Sequence, residues 1–323
     1  MNVAVTGAHG FVGLNVSFQL ANGGHTVLAI GRSEPDAWVI RFLELVEKQV
    51  KHRVADLSTT GVLATALQDD DLDAVIHAAV VTATTPEVER EESRRILTVN
   101  IAGTIDAIEL ARERGARFVY VSSPSAIGSI ERGEPIAEDV PLNPADLYGI
   151  SKMTSEAIVR RYGEIHGLDA ASVRIAQPYG PGERATRSRI RTSPIQEWLL
   201  NAERGETIPS GPLDRARDWT YIDDTACGIA QLATAGDLRH DLYHLSTGRQ
   251  ATIGEVLDEL RREYPDLTID EQPSPEALNP NISGPGRQPL DPGRFRNDFG
   301  WSPETSIQDG MRRYLEWWRT FNA

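Results

Sequence analysis

Asn2-Val3-Ala4-Val5-Thr6-Gly7-Ala8-His9-Gly10-Phe11-Val12-Gly13 opens the chain with a β-branched run, a glycine-rich turn and the start of an amphipathic stretch. A strand that passes through glycines into a helix offers backbone N–H groups and a positive helix end to an anion. Gly7 permits the tight turn, Gly10 lets the backbone approach a pyrophosphate, and Gly13 allows close helix packing. Gly7, His9, Gly10, Phe11, Val12 and Gly13 therefore form the candidate dinucleotide-binding segment. His9 itself reads as a surface residue of the turn rather than a catalyst.

Outward from this turn, short apolar runs alternate with amphipathic stretches, which predicts βαβ units and a parallel sheet. The expected strands are Val3–Val5, Val27–Ile30, His52–Ala55, Ala74–His77, Phe118–Val121 and Ala171–Ile175, with Leu242–Leu245 returning later. The expected helices are Phe11–Ala21, Ala37–Lys48, Leu63–Gln68, Glu89–Arg114 and Leu147–His166. Arg112, Arg114 and Gly115 mark the end of the fourth of these. The fold class is α/β, a Rossmann-type doubly wound parallel sheet with ligands at the carboxyl ends of its strands.

The pattern changes at Gln177-Pro178-Tyr179-Gly180-Pro181-Gly182, beyond which Pro and Arg become frequent. Residues 1–178 with 218–250 are expected to form the dinucleotide-binding core. Residues 179–217 with 251–323 are expected to form a smaller, mixed C-terminal substrate lobe, in which Trp317-Trp318 reads as core.

Composition narrows the function. The chain is 40% hydrophobic and 25% charged, as in a globular protein, and carries no apolar stretch of the ~20 residues that a membrane helix needs. The first strand begins at Asn2, which predicts no secretory leader. A single cysteine, Cys227, forbids an internal disulfide, fits the cytoplasm and reads as a small apolar filler in a helix. A net charge of −14 disfavours nucleic acid as a partner. The histidines and the lone cysteine show no metal-ligand spacing, so no metal is expected.

The second informative motif is Tyr148-Gly149-Ile150-Ser151-Lys152, with Ser123 upstream. Tyr148 and Lys152 are one helical turn apart and share a face. A phenol near pKa ~10 is a weak base at neutral pH, and a neighbouring ammonium would lower that value. Tyr148 can then carry the proton of a substrate hydroxyl while a nicotinamide carries the hydride. The spacing alone is common on helices; behind a placed glycine turn it points to a nicotinamide enzyme.

Cofactor choice rests on the end of the second strand, where an acidic residue accepts ribose hydroxyls in NAD sites and an arginine accommodates a 2′-phosphate. Here the strand ends Ala29-Ile30-Gly31-Arg32-Ser33, which favours NADP over NAD. The alternative is Arg32 stacked on adenine with either cofactor.

The chain resembles an extended short-chain dehydrogenase/reductase of the NAD-dependent epimerase/dehydratase family over nearly its whole length. The residues that carry the resemblance are Thr6–Gly13, Asp56-Leu57, His77-Ala78-Ala79, Asn100, Tyr120–Gly128, Tyr148–Lys152, Arg174–Gly182 and Arg217–Asp224. It implies that Asp56, with Leu57, faces the adenine and that Ala78 and Ala79 line the cofactor. It also implies that Asn100 fixes the core helix, that Pro178 borders the nicotinamide, and that Lys152 holds the ribose. Ser123 matches the hydroxyl residue beside the tyrosine, with Ser122 its structural neighbour.

Departures are equally informative. The 4,6-dehydratases of this family carry Asp-Glu after their catalytic threonine, whereas Pro124-Ser125 stand here, which argues against sugar dehydration. Arg217 matches an arginine that contacts a diphosphate in nucleotide-sugar members, or else forms a structural Arg–Asp pair. Gln177 replaces a frequent asparagine near the phosphates, and Arg287 lies where a second phosphate-binding arginine is often found. Arg184, Arg187, Arg189 and Arg191 suit an anionic substrate, or belong to a solvated loop; Arg187 is the candidate contact. Thr82, Thr84 and Thr85 follow the fourth strand as candidate sugar contacts or ordinary loop residues.

The combined reading is an NAD(P)-dependent epimerase or ketoreductase of a nucleotide sugar, with Ser123, Tyr148 and Lys152 catalytic. The alternatives are an NADP-dependent dehydrogenase or reductase of a free sugar, sugar acid or small carbonyl compound, and a non-catalytic dinucleotide-binding protein. The resemblance further implies a homodimer joined through Glu89–Arg114 and Leu147–His166.

Overall fold

The computed structural model describes residues 1–82, 85–128, 134–186, 189–283, 286 and 288–322. The glycine turn follows β1 (Asn2–Thr6) and leads into α1 (Phe11–Asn22). The alternation continues through β2 (Thr26–Gly31), α2 (Ala37–Leu43), β3 (Val50–Val54), α3 (Val62–Ala66), β4 (Ala74–His77) and α4 (Pro86–Leu97). A π-turn at Thr98–Ala102 joins α4 to α5 (Gly103–Arg114), which is followed by β5 (Arg117–Ser122), α6 (Leu147–His166) and β6 (Ala170–Ile175).

After β6 the chain leaves the sheet through β7 (Gln177–Tyr179), α7 (Pro194–Arg204), β8 (Ile208–Pro209), β9 (Ala216–Arg217) and β10 (Trp219–Tyr221). It re-enters through α8 (Ile222–Thr234) and β11 (Leu242–Leu245). The remainder is β12 (Ala251–Thr252), α9 (Ile253–Glu263), β13 (Ile269–Asp270), α10 (Pro280–Ser283), α11 (Gly293–Phe299) and α12 (Ile307–Asn322).

Seven parallel strands form one sheet in the order β11-β6-β5-β4-β1-β2-β3. All six residues of β5 are buried, as a parallel strand covered on both faces requires. One face packs Leu14, Val16 and Leu20 of α1 with Ile229 and Leu232 of α8; the other packs Ile108 and Ala111 of α5 with Val159 of α6. The strand order reverses between β1 and β4, and their carboxyl ends border a crevice there. The Thr6 hydroxyl and His77 Nδ1 join those two ends at 2.8 Å.

The second lobe has its own core of Trp198, Leu199, Trp219, Val256, Leu260, Met311 and Tyr314, with Trp317 and Trp318 packed against it. Among the described residues it contains three two-stranded sheets, one antiparallel and two parallel. Aromatic contacts tie the C-terminal segment back to the first lobe. Phe295 of α11 packs edge-on to Tyr243 of β11, and Trp317 and Phe321 of α12 reach Phe42 of α2. Among the described residues no helix is long and apolar enough to cross a membrane.

Three local expectations are corrected. The third strand runs over Val50–Val54, earlier than His52–Ala55. The long helix is interrupted at Thr98–Ala102. Cys227 is exposed on α8 rather than filling the interior.

Candidate active site

A crevice of about 440 Å³ lies over the carboxyl ends of β1, β2 and β4. Gly7, His9, Gly10, Phe11, Val12, Gly13, Arg32, Asp56, Leu57, Ala78, Ala79 and Thr82 all line it. Its volume falls within the range of small-ligand and cofactor pockets. The cradle is built from missing side chains. Gly7 has φ +70°, and a Cβ there would lie 2.7 Å from Ala79 Cα. A Cβ on Gly13 would lie 2.3 Å from the Gly7 carbonyl oxygen. Gly10 caps α1 without a side-chain hydrogen bond, and the first turn carries no acidic residue. The first N–H groups of α1 thus face the crevice with their positive dipole end, which fits a pyrophosphate.

The reacting side chains stand beside this crevice on β5 and α6. Asp146 caps α6 by accepting from Gly149 N–H at 2.6 Å, which fixes Tyr148 and Lys152 in the first two turns. Gly149 lets that turn seat on the loop after β5, because a Cβ there would lie 2.5 Å from the Ser125 carbonyl oxygen. Ser123 begins that loop, accepts from Ser125 N–H at 3.2 Å, and sets its hydroxyl beside the Tyr148 phenol. Ser122 points the other way and donates to Glu156 at 2.5 Å. Strand alternation therefore separates the site hydroxyl from the structural one.

Burial raises the Tyr148 phenol above its ordinary value; the neighbouring Ser123 hydroxyl and the Arg189 charge pull it down. Lys152 Nζ donates to the Val121 carbonyl at 2.6 Å and lies 5.8 Å from the Tyr148 ring centre. Burial lowers Lys152 to about 7, against the charge of Glu156. His77, packed beneath on β4, is held neutral by burial and by Lys152, at about 3.

Asn100 accepts from Val81 N–H at 2.8 Å and donates to the Val81 carbonyl and the Ser151 hydroxyl, each at 3.0 Å. It therefore clamps α6 and the loop after β4. The π-turn leaves its own carbonyl to accept from Thr104 and Ser155 hydroxyls. Pro178 lies on β7, opposite Thr220 of β10. Gln177 precedes it, with its side-chain Nε2 buried and unpartnered.

Arg217 directs its guanidinium to the carbonyls of Ala216, Asn281 and Ile282. Asp218 instead accepts from the Ser246 hydroxyl and Leu290 N–H, so the expected Arg–Asp pair is replaced by these contacts. Thr84, Arg187 and Arg287 lie outside the described residues.

The arginine cluster is largely paired. Arg184 meets Asp36 at 2.6 Å, Arg189 meets the buried Glu183 at 2.5 Å, and Arg191 grips Glu197 with two nitrogens. Arg189 is the member whose charge acts on Tyr148, and its guanidinium lies 5.5 Å from the Phe11 ring centre. Spacing alone did not distinguish it from its neighbours. Among the described residues no group of three or more His, Cys, Asp or Glu side chains is arranged to hold a metal.

The sequence profile of the NAD dependent epimerase/dehydratase family matches residues 3–244. The chain belongs to that family. It is an enzyme of the extended short-chain dehydrogenase/reductase type. It is 27% identical over 323 residues to a UDP-glucuronate 4-epimerase of Thermodesulfobacterium geofontis, covering 97% of this chain and 94% of that one. Its fold is similar to the Thermus thermophilus UDP-glucose 4-epimerase in complex with NAD (TM-score 0.81, 24% identity, 99% of each chain). It is also similar to the Bacillus cereus UDP-glucuronic acid 4-epimerase in complex with UDP-glucuronic acid and NAD (TM-score 0.82, 22% identity, 99% of each chain).

These findings overturn the preference for NADP. The family is NAD dependent by description, and both solved relatives hold NAD. The physical reason lies around Arg32. It shares the crevice rim with Asp36 and Asp56 and stands in the field of Asp56, so its charge is already opposed.

Proposed function

We propose that the chain is an NAD-dependent epimerase or ketoreductase acting at a hydroxyl-bearing carbon of a nucleotide sugar. The observation that carries this reading is the Ser123 hydroxyl set beside the Tyr148 phenol next to a glycine-cradled crevice. NAD, when bound, supplies the hydride acceptor and donor. Gly7, Gly10, Gly13 and the first N–H groups of α1 would hold its pyrophosphate, and Ala78 and Ala79 would pack against it. Ser123 would orient the substrate hydroxyl, Tyr148 would take and return its proton, and Lys152 would hold the nicotinamide ribose. Pro124 and Ser125, in place of an acid and a base, support epimerisation or reduction over elimination. The unpartnered Gln177 amide and the crevice residue Thr82 are the proposed substrate contacts. The two lobes would divide the work, 1–178 with 218–250 for the cofactor and 179–217 with 251–323 for the substrate, except that Trp219 and Tyr221 pack in the second lobe's core.

One observation favours a second reading, oxidation or reduction of a free sugar. Arg217, the expected diphosphate contact, is turned toward three backbone carbonyls.

We also infer a cytoplasmic homodimer. Leu97, Ile105 and Ile150 are each a little over one-third exposed on α4, α5 and α6, which supports an apolar seam along those helices.

The test is mass spectrometry of small molecules released from the denatured protein, followed by assay of the Tyr148→Phe variant. Stoichiometric NAD, turnover of a nucleotide sugar, and a Tyr148→Phe variant that keeps NAD but loses turnover are the expected results. Full activity without the phenol would overturn the reading.

A further inference from the structure

Gly31 ends β2 at the corner of the crevice where a dinucleotide's adenosine ribose is read. It has no side chain of its own, and another element fills its place. A Cβ built on Gly31 would lie 2.1 Å from His9 Nδ1 and 2.3 Å from His9 Cε1. The imidazole of the glycine turn therefore sits where the side chain of residue 31 would begin.

That ring is braced. His9 Nε2 and His52 Nδ1 are 3.1 Å apart, with ring centroids at 5.2 Å and planes inclined by 57°. His52 comes from β3, where it pairs with Ala29 of β2. The Ser33 backbone lies beside His9 on a second side. The arginines on this rim face carboxylates: Arg184 meets Asp36 at 2.6 Å and lies over the Trp38 ring at 4.7 Å, and Arg32 stands in the field of Asp56.

We propose that His9 is a specificity residue that closes the Gly31 corner of the crevice against a 2′-phosphate. Its ring, held by His52, takes the volume that the extra phosphate would need. Arg32 and Ser33 then stand at the rim of a corner already filled. The proposal rests on the reading of the crevice as an NAD site and adds the residue that makes it so. An acidic side chain at the strand end is the usual device for this selection; here a ring from a neighbouring turn performs it.

The test is a direct competition. Purified protein is brought to exchange equilibrium with equal NAD⁺ and NADP⁺, free nucleotide is removed, and the retained pair is quantified by mass spectrometry. Wild type is expected to retain NAD predominantly. His9→Ala should lower the NAD:NADP ratio by about tenfold, a ratio that corresponds to about 1.4 kcal/mol. Gly31→Ala, which displaces the ring without altering it, should move the ratio in the same direction and carries the test if His9→Ala fails to fold. His9→Phe, which keeps a ring but no nitrogen, should hold the wild-type ratio. An unchanged ratio in His9→Ala and Gly31→Ala, or an equal loss in His9→Phe, would overturn the proposal. Wild type that retains neither nucleotide, or mainly NADP, would instead overturn the NAD reading beneath it.

Discussion

Lys152 and Tyr148 share a face of α6, yet the ammonium lies 5.8 Å from the phenol ring centre and donates to the Val121 carbonyl at 2.6 Å. Burial brings this lysine from 10.5 to about 7, with Glu156 opposing the shift. An unfolded lysine stays protonated to about pH 10.4. Between about pH 7 and that value the folded chain binds fewer protons than the unfolded one, so stability rises with pH across the window. Below about pH 7 the buried ammonium is fully charged and its desolvation cost is fully present. Urea unfolding of wild type should therefore give greater stability at about pH 9 than at about pH 6, and Lys152→Met should flatten that slope. Equal slopes in the two proteins would count against a depressed lysine.

The Tyr148 phenol is pulled down by Ser123 and by Arg189. Replacing Arg189 by Gln removes that charge, so the phenol should ionise at higher pH. The limb of kcat/KM that reports phenol ionisation should then move upward, by up to about one pH unit. Glu183 loses its ion pair in this variant but keeps the N–H and hydroxyl of Ser193. An unshifted limb with a raised KM would mean that Arg189 binds substrate without tuning the tyrosine.

The sheet and the glycine crevice were legible because they rest on local pattern: buried β-branched runs and a glycine turn. What was misread depends on contacts distant in sequence. β3 carries Lys51, His52 and Arg53 in succession at a half-exposed edge, so the apolar Val54-Ala55 pair drew the expected strand too late. The break at Thr98–Ala102 is satisfied by Asn100 reaching Val81 and Ser151, which no helical periodicity reveals. Arg32 looked like a phosphate grip when read alone, without Asp56 beside it or His9 over Gly31. Some signals went unused. Thr252 and Glu255 form a capping box at the start of α9, and the Ser193-Pro194 pair opens α7.

Arg174 of β6 is buried against Glu156 of α6, four residues after Lys152. Two nitrogens contact the two carboxylate oxygens at 2.9 and 2.7 Å. The remaining nitrogen donates to the Glu138 carbonyl and faces His244 Nε2. Removing one member of such a pair leaves an uncompensated buried charge, so Glu156→Ala should destabilise the protein by about 3–5 kcal/mol. The double change Glu156→Leu with Arg174→Met should cost less than the sum of the single changes, because no charge is left behind. Urea midpoints of the four proteins check this. Additive losses would show that the pair is not coupled.

The apolar residues left on the α4, α5 and α6 surfaces are the features that bear on assembly. Ile105 and Ile150 are 38% and 37% exposed, near Leu97 at 36%. Scattered surface apolar residues are ordinary, so their meaning depends on whether a second copy covers them. A self-complementary seam places the same residues on both sides of a two-fold axis, so one substitution acts twice. Ile105→Glu should therefore convert a dimer to a monomer in light scattering, while circular dichroism shows the helices retained. A wild type that is already monomeric would remove the seam. A variant that stays dimeric would place the contact on another face.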